Sequence, residues 1–276
     1  MVKFIDKILD NSILSTIGFL VLDILIISLF SNIFQYLFKF IIPSLGTNLS
    51  SSISSIISAI IFLLIYKWYM RDKLQNLIST KNFKFALLLL IPTFIFIIAN
   101  LVSNYLNGNF AFDVIVIILG LAPGISEEVV FRGFIISNLM RIRKNKNLSI
   151  YWIVCLSAIP FGLVHLVNIA VGANVSYTIV QTFFAICLGF LFAGVYLRTG
   201  NLIVPIIIHS LIDMSGLCSS EFLSSDVTGL VSQAPVAYDF IFLFVMSIIM
   251  LGLGLYYVRK EKWADIDKEW DDIVIE

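Results

Sequence analysis

Apolar stretches of about twenty residues recur along this chain, and they limit its fold more than any other feature. A helix of that length crosses the ~30 Å hydrocarbon layer of a bilayer. The short alternating segments of a membrane β-barrel are absent. The apolar runs cover residues 13–38, 53–69, 85–102, 112–140, 150–169, 177–197, 202–217 and 236–258. The sequence is 59% apolar and 13% charged, against roughly 45–50% and 25% in soluble domains. The expectation is an all-α, polytopic transmembrane helical bundle of about eight spans, one membrane domain over residues 1–276.

Local signals refine this outline. Lys3 and Lys7 precede an apolar run too long for a signal peptide and without a cleavage site, so it reads as a first span. Pro92 predicts a kink in the third span. Pro123-Gly124 predicts a break in the fourth, with Ser126 capping the helix that restarts. Gly252 and Gly254 suggest close helix packing in the last span. Beyond it lie Arg259-Lys260-Glu261-Lys262 and a charged tail. Cys155, Cys187 and Cys218 are far apart, and the first two fall in apolar runs, so they read as buried hydrophobes. A net charge of +0 leaves no basic patch for a nucleic acid, and the expected surroundings are the lipid bilayer.

Lys and Arg set the expected orientation. The N-terminus, the segment from Lys67 to Lys84, the segment from Arg141 to Lys146, Arg198 and the C-terminal tail all carry positive charge. The alternate loops around Thr47, Asn107, Gly172 and Ser224 carry none. Both termini are therefore expected on the cytoplasmic side of a cell membrane.

Ionisable residues inside these spans are where function is expected. A charged group at a helix centre costs roughly 2.5–3.5 kcal/mol on insertion scales, so it persists mostly where it faces a protein interior or a wet cavity. Glu127, Glu128 and Arg132 lie within the fourth run, and the chain's two histidines, His165 and His209, each lie within a later one. At ~1.5 Å per residue, Glu127 and His165 sit roughly 21 Å from the basic side, and His209 and Asp213 roughly 12–18 Å. Spacing of four places Glu128 with Arg132, Phe161 with His165, and His209 with Asp213 on shared helix faces. Carboxylates beside imidazoles at low dielectric suit either a general base for a water or a metal shell. Asp23, alone in the first span, stays unassigned.

Glu127-Glu128…Arg132, Phe161…His165 and His209…Asp213, each on its own predicted span, resemble the CPBP family of CAAX proteases and bacteriocin-processing enzymes, also called Abi. The likeness covers residues 112–217 as a core, while the flanking spans agree only in hydropathy. It implies an intramembrane endopeptidase acting on a peptide or membrane protein. Glu127 would be the general base, His165 would help hold the water, and His209 with Asp213 would complete the site. Glu128 and Arg132 would form a supporting buried ion pair, with Phe161 packing beside them. Both a divalent cation such as zinc, held by Glu127, His165, His209 and Asp213, and a metal-free mechanism fit that resemblance. The last position is Asn in prenyl-protein proteases and Asp213 here, which leans toward a metal and away from a prenylated substrate. A link to bacteriocin processing or self-immunity follows by family analogy alone. The alternatives are a non-catalytic binding or immunity protein of the same fold and a proton-coupled transporter, since buried Glu, His and Asp also build proton relays. Against transport stands the lack of an internal repeat. The patterns His-Glu-x-x-His, Gly-x-Ser-Gly and Gly-x-Gly-Asp are absent.

Overall fold

The computed structural model of the protein describes residues 11–41, 81–170, 172–219, 237–271 and 273, with isolated positions between 53 and 64. The described residues form helices and no strand, with one isolated bridge between Phe110 and Ser219. In chain order the helices are α1 (Ser12–Ile41), α2 (Phe83–Leu89), α3 (Ile91–Leu106), α4 (Val114–Lys146), α5 (Ile150–Ala170) and α6 (Val175–Thr199). They are followed by α7 (Ile203–Leu217), α8 (Ala237–Tyr257) and α9 (Trp263–Asp271). Three of them, α4, α5 and α6, are long and apolar enough to cross a bilayer, and two bent pairs bring the number to as many as five. This is a multi-pass membrane protein. Of the eight runs in the sequence, residues 53–69 lie largely outside the described residues. Helix α7 has only 15 residues, short of the roughly 20 a full crossing needs.

Helix α6 is the centre of the bundle. Its residues from Cys187 to Leu197 are buried without interruption, as expected of a helix that is apolar on every face. It packs against α5 on one side and α8 on another, while α7 packs against α4 and α3. Close approach is set by small residues. A Cβ at Gly254 would lie 2.5 Å from Phe190 O, so α8 meets α6 backbone to backbone there. Gly252, expected to do the same, has nothing within 4 Å of such an atom.

Pro92 and Pro123 act differently. The α2–α3 pair bends by 60°, and Pro92 stands in the first turn of α3, where its missing N–H goes unneeded. The break expected at Pro123-Gly124 does not form. Helix α4 runs through both residues, and Ser126 is not a cap: its Oγ donates back to Ala122 O at 2.9 Å. The glycine is used for packing instead. A Cβ at Gly124 would lie 2.9 Å from Ser210 N, so α7 rests directly on the α4 backbone beside the proline. Contact with α7 along this stretch offsets the hydrogen bond that Pro123 removes. Gly124→Val is expected to push the two helices apart, costing at least the 1–3 kcal/mol typical of overpacking. Thermal unfolding of the detergent-solubilised variant measures it, and an unchanged midpoint would contradict this contact.

After Glu128, α4 widens into a π-helical segment, Val129–Ile136, in which every residue is buried. Helix α1 and helix α5 both pack on this segment.

The sequence shows a charged tail after the last span, but the structure folds it. Helix α9 lies across the bundle's end with Ile266 and Trp270 at most 1% exposed. Trp270 Nε1 donates to Leu197 O at 3.0 Å, and its ring meets Tyr196 edge-on at 5.2 Å. Around that apolar contact, the acids of α9 reach the ends of three other helices. Arg143 makes a two-pronged pair with Asp267, both contacts 2.8 Å. Lys144 meets Asp271 at 3.3 Å, Arg198 meets Asp265 at 3.3 Å and Lys81 meets Glu269 at 3.2 Å. Bonds to Lys262 and Arg198 hold the Asp265 carboxyl below the ordinary carboxylate range. Trp270→Ala is expected to cost about 3–5 kcal/mol and to free α9 for cleavage by added protease. If α9 stays protected, its docking does not depend on that indole.

Candidate functional site

The site forms where α4, α5 and α7 converge against α6. The Gly124–Ser210 contact fixes α4 against α7, and one turn further along α4 the carboxylates meet His209. Glu128 is 0% exposed and accepts two hydrogen bonds on Oε1 at 2.9 Å each, from Arg132 Nη1 and from His209 Nδ1. The Arg132 pairing was expected from the spacing, but the bond to His209 was not. Glu128 thus holds the imidazole as well as the guanidinium.

With Nδ1 engaged, His209 turns Nε2 toward two further carboxylates. Glu127 Oε2 lies 3.8 Å away and Asp213 Oδ2 3.7 Å. Both separations exceed a direct hydrogen bond. Glu127 Oε2 is buried and has no hydrogen-bond partner among the described residues. A buried polar atom in that state carries a cost of about 1–3 kcal/mol, and such atoms are a common mark of sites kept for chemistry.

Phe161 joins the second histidine to this group. Its ring meets His165 and His209 edge to face, each at a centroid distance of 5.7 Å. The guanidinium of Arg132 lies over the same ring at 4.3 Å. Arg132 is 0% exposed and also donates to Gly189 O at 3.4 Å. Helix α5 tightens into a short 3₁₀ turn at Val164–Leu166, where the His165 Nδ1 sits 3.2 Å from Phe161 O. His165 makes no hydrogen bond with Glu127, His209 or Asp213.

His165, His209 and Asp213 line one cavity of about 420 Å³. Asn100 of α3, Asn168 of α5, and Tyr177 and Gln181 of α6 add polar groups to walls that are otherwise mainly apolar. Glu127 is not part of the lining and reaches it through His209. Among the described residues, no lysine or arginine lines this space. An apolar groove of about 550 Å³ between α6 and α8 shares Val180 and Leu243 with the cavity.

The four residues expected to hold a divalent cation, Glu127, His165, His209 and Asp213, are not drawn around one point in this arrangement. Among the described residues, no three His, Cys, Asp or Glu side chains are gathered as a metal shell needs. Glu127 and Asp213 both approach His209 Nε2, while His165 packs against Phe161 and engages Phe161 O through Nδ1.

The site is thus an acid–imidazole cluster set inside a bundle of apolar helices, beside a cavity of about 420 Å³. Residues 109–215 match the family model described as type II CAAX prenyl endopeptidase, Rce1-like. Every residue of this site falls within that matched segment, which is similar to the CAAX-protease (CPBP) family. No curated protein and no solved structure matches the chain. The family is described by prenyl endopeptidase activity, the class from which Asp213 leaned away in the sequence.

Proposed function

We propose that the protein is an intramembrane endopeptidase that hydrolyses a peptide bond of a membrane-associated protein or peptide. One observation carries the reading: Glu127 Oε2, buried and unpartnered, stands 3.8 Å from an imidazole whose other nitrogen is fixed by Glu128. A carboxylate placed so is suited to take a proton from water as the water oxygen attacks the peptide carbonyl. The carbonyl oxygen then carries the negative charge. In its protonated form, His209 gives Nδ1–H to Glu128 and has Nε2–H left for that oxygen. As the tetrahedral intermediate collapses, the C–N bond breaks and Glu127 returns its proton to the leaving amine. Asp213 orients His209 Nε2, and His165 holds the far side of the substrate group. Arg132 balances the charge of Glu128 in the buried pair.

The family match and the mainly apolar cavity support a hydrophobic peptide of CAAX type as substrate. The test is incubation of the protein in proteoliposomes with a prenylated and an unprenylated CAAX-type peptide, with products read by mass spectrometry. Cleavage of either at one bond is expected. Intact peptides, with a folded protein and a matched protease control, would remove the reading. The same preparation settles the cation: metal content by elemental analysis, and cleavage before and after chelation. Cleavage that survives chelation in metal-free protein is the expected result.

A further inference from the structure

The cavity is not centred in the bundle. On α6 its lining runs from Tyr177 to Leu188, the first half of Val175–Thr199. On α7 it runs from His209 to Leu217, the second half of Ile203–Leu217. On α5 the lining residues are Phe161, His165 and Asn168, close to the helix end at Ala170. On α4 they are Leu119 and Pro123, near its start. Antiparallel neighbours thus all contribute from the same end. The rim there holds Asn168, Tyr177, Gly216 and Leu217, and His209 lies roughly 10 Å below Gly216 by helical rise.

The other end of the bundle is the charged one. Asn201 Nδ2 donates to Lys81 O at 2.8 Å, Asn82 Nδ2 donates to Thr199 O at 3.1 Å, and Arg143 pairs with Asp267. These bonds gather the start of α2, the end of α4, the α6–α7 turn and α9 onto one face. That face collects Lys81, Lys84, Arg141, Arg143, Lys144, Lys146, Arg198 and the basic residues after α8. The opposite loops, residues 107–113 and 172–174, contain no Lys or Arg, and the sequence between α7 and α8 has none either. Positively charged loops stay on the cytoplasmic side.

From the polarity of the cavity against this charge we infer that the site opens on the outer side of the membrane. Its substrate is a hydrophobic peptide segment presented from that side or from the outer leaflet. The substrate half of this statement rests on the peptidase reading; the orientation half does not.

Cysteine labelling separates the two. Gly216→Cys places a thiol at the rim, where an added Cβ meets nothing within 4 Å. Ser176→Cys is a second, exposed rim position, and Asn145→Cys is exposed on the basic face. Wild-type protein sets the background from Cys155, Cys187 and Cys218. Intact cells are treated with a membrane-impermeant maleimide, and labelling is compared with that after permeabilisation. At least tenfold faster labelling of both rim thiols than of Asn145→Cys in intact cells is expected, with the difference lost on permeabilisation. Reversed or equal labelling in intact cells overturns the inference. Outer-side labelling combined with no hydrolysis of any peptide would remove the peptidase reading, and the substrate with it, and leave the orientation standing.

Discussion

Glu127→Gln is expected to lower kcat by about 10²–10⁴-fold, the range a general base supplies, while KM and thermal stability stay near wild type. The two halves of this result come from the same geometry. Glutamine keeps the size of the side chain but cannot accept the proton of an attacking water. It also removes a carboxylate whose Oε2 has no hydrogen-bond partner and which shares the neighbourhood of His209 with Glu128 and Asp213. Little stabilisation is therefore lost on folding. A fall in the thermal midpoint matching the loss of activity would mean that Glu127 is structural. Retained turnover would require another base. Cleavage kinetics and unfolding measured on one proteoliposome preparation distinguish these outcomes.

Glu128→Gln is expected to act the other way, through stability. Arg132 is 0% exposed, and among the described residues its paired carboxylate is the only acid it bonds. Removing one partner of a buried pair leaves an uncompensated charge and typically costs 3–5 kcal/mol. Here the loss is larger in consequence because the same carboxylate oxygen holds His209 Nδ1 at 2.9 Å. The double variant Glu128→Leu with Arg132→Leu is expected to recover most of the lost stability, since an apolar pair of similar volume often substitutes without penalty. It should remain inactive, because His209 loses its fixed orientation. A double variant as unstable as the single one would show that the pair does more than neutralise itself. Thermal unfolding of the three proteins in one detergent supplies the comparison.

Much of this arrangement could be read in the sequence, because membrane helices make ionisable residues conspicuous. Spacing of four placed His209 beside Asp213, Glu128 beside Arg132 and Phe161 beside His165. Neighbouring depths on different helices suggested the meeting of Glu127 with His209. The bond between Glu128 and His209 was missed, although a signal for it exists. Gly120, Gly124, Glu128 and Arg132 follow one another at intervals of four, and all four are buried. A stripe that begins with two glycines marks the face on which another helix lies, which puts Glu128 on the α7 side of α4. The break at Pro123 was misread for a related reason. Proline's local cost is written in the sequence, but the helix that rests against Gly124 and offsets it belongs to a distant segment. Helix α9 escaped notice because its acids and lysines look like a solvated tail. Only the spacing of Ile266 and Trp270 hinted at a buried face. The π-helical turn after Glu128 has no residue signature comparable to a proline or a cap.

The docking of α9 gives the chain a built-in check on its own assembly. Its acids find partners only when the ends of α2, α4 and α6 have come to one face of the membrane, and Trp270 finds its acceptor only when α6 is in place. Because α9 follows α2, α4 and α6 in the chain, it leaves the ribosome after every helix it clasps. A protein with one span inverted would leave these carboxylates unmatched and two apolar side chains uncovered. Correct topology is thus closed off by a helix made after those it clasps, and an unfinished bundle leaves α9 undocked and open to the proteases that remove misassembled membrane proteins.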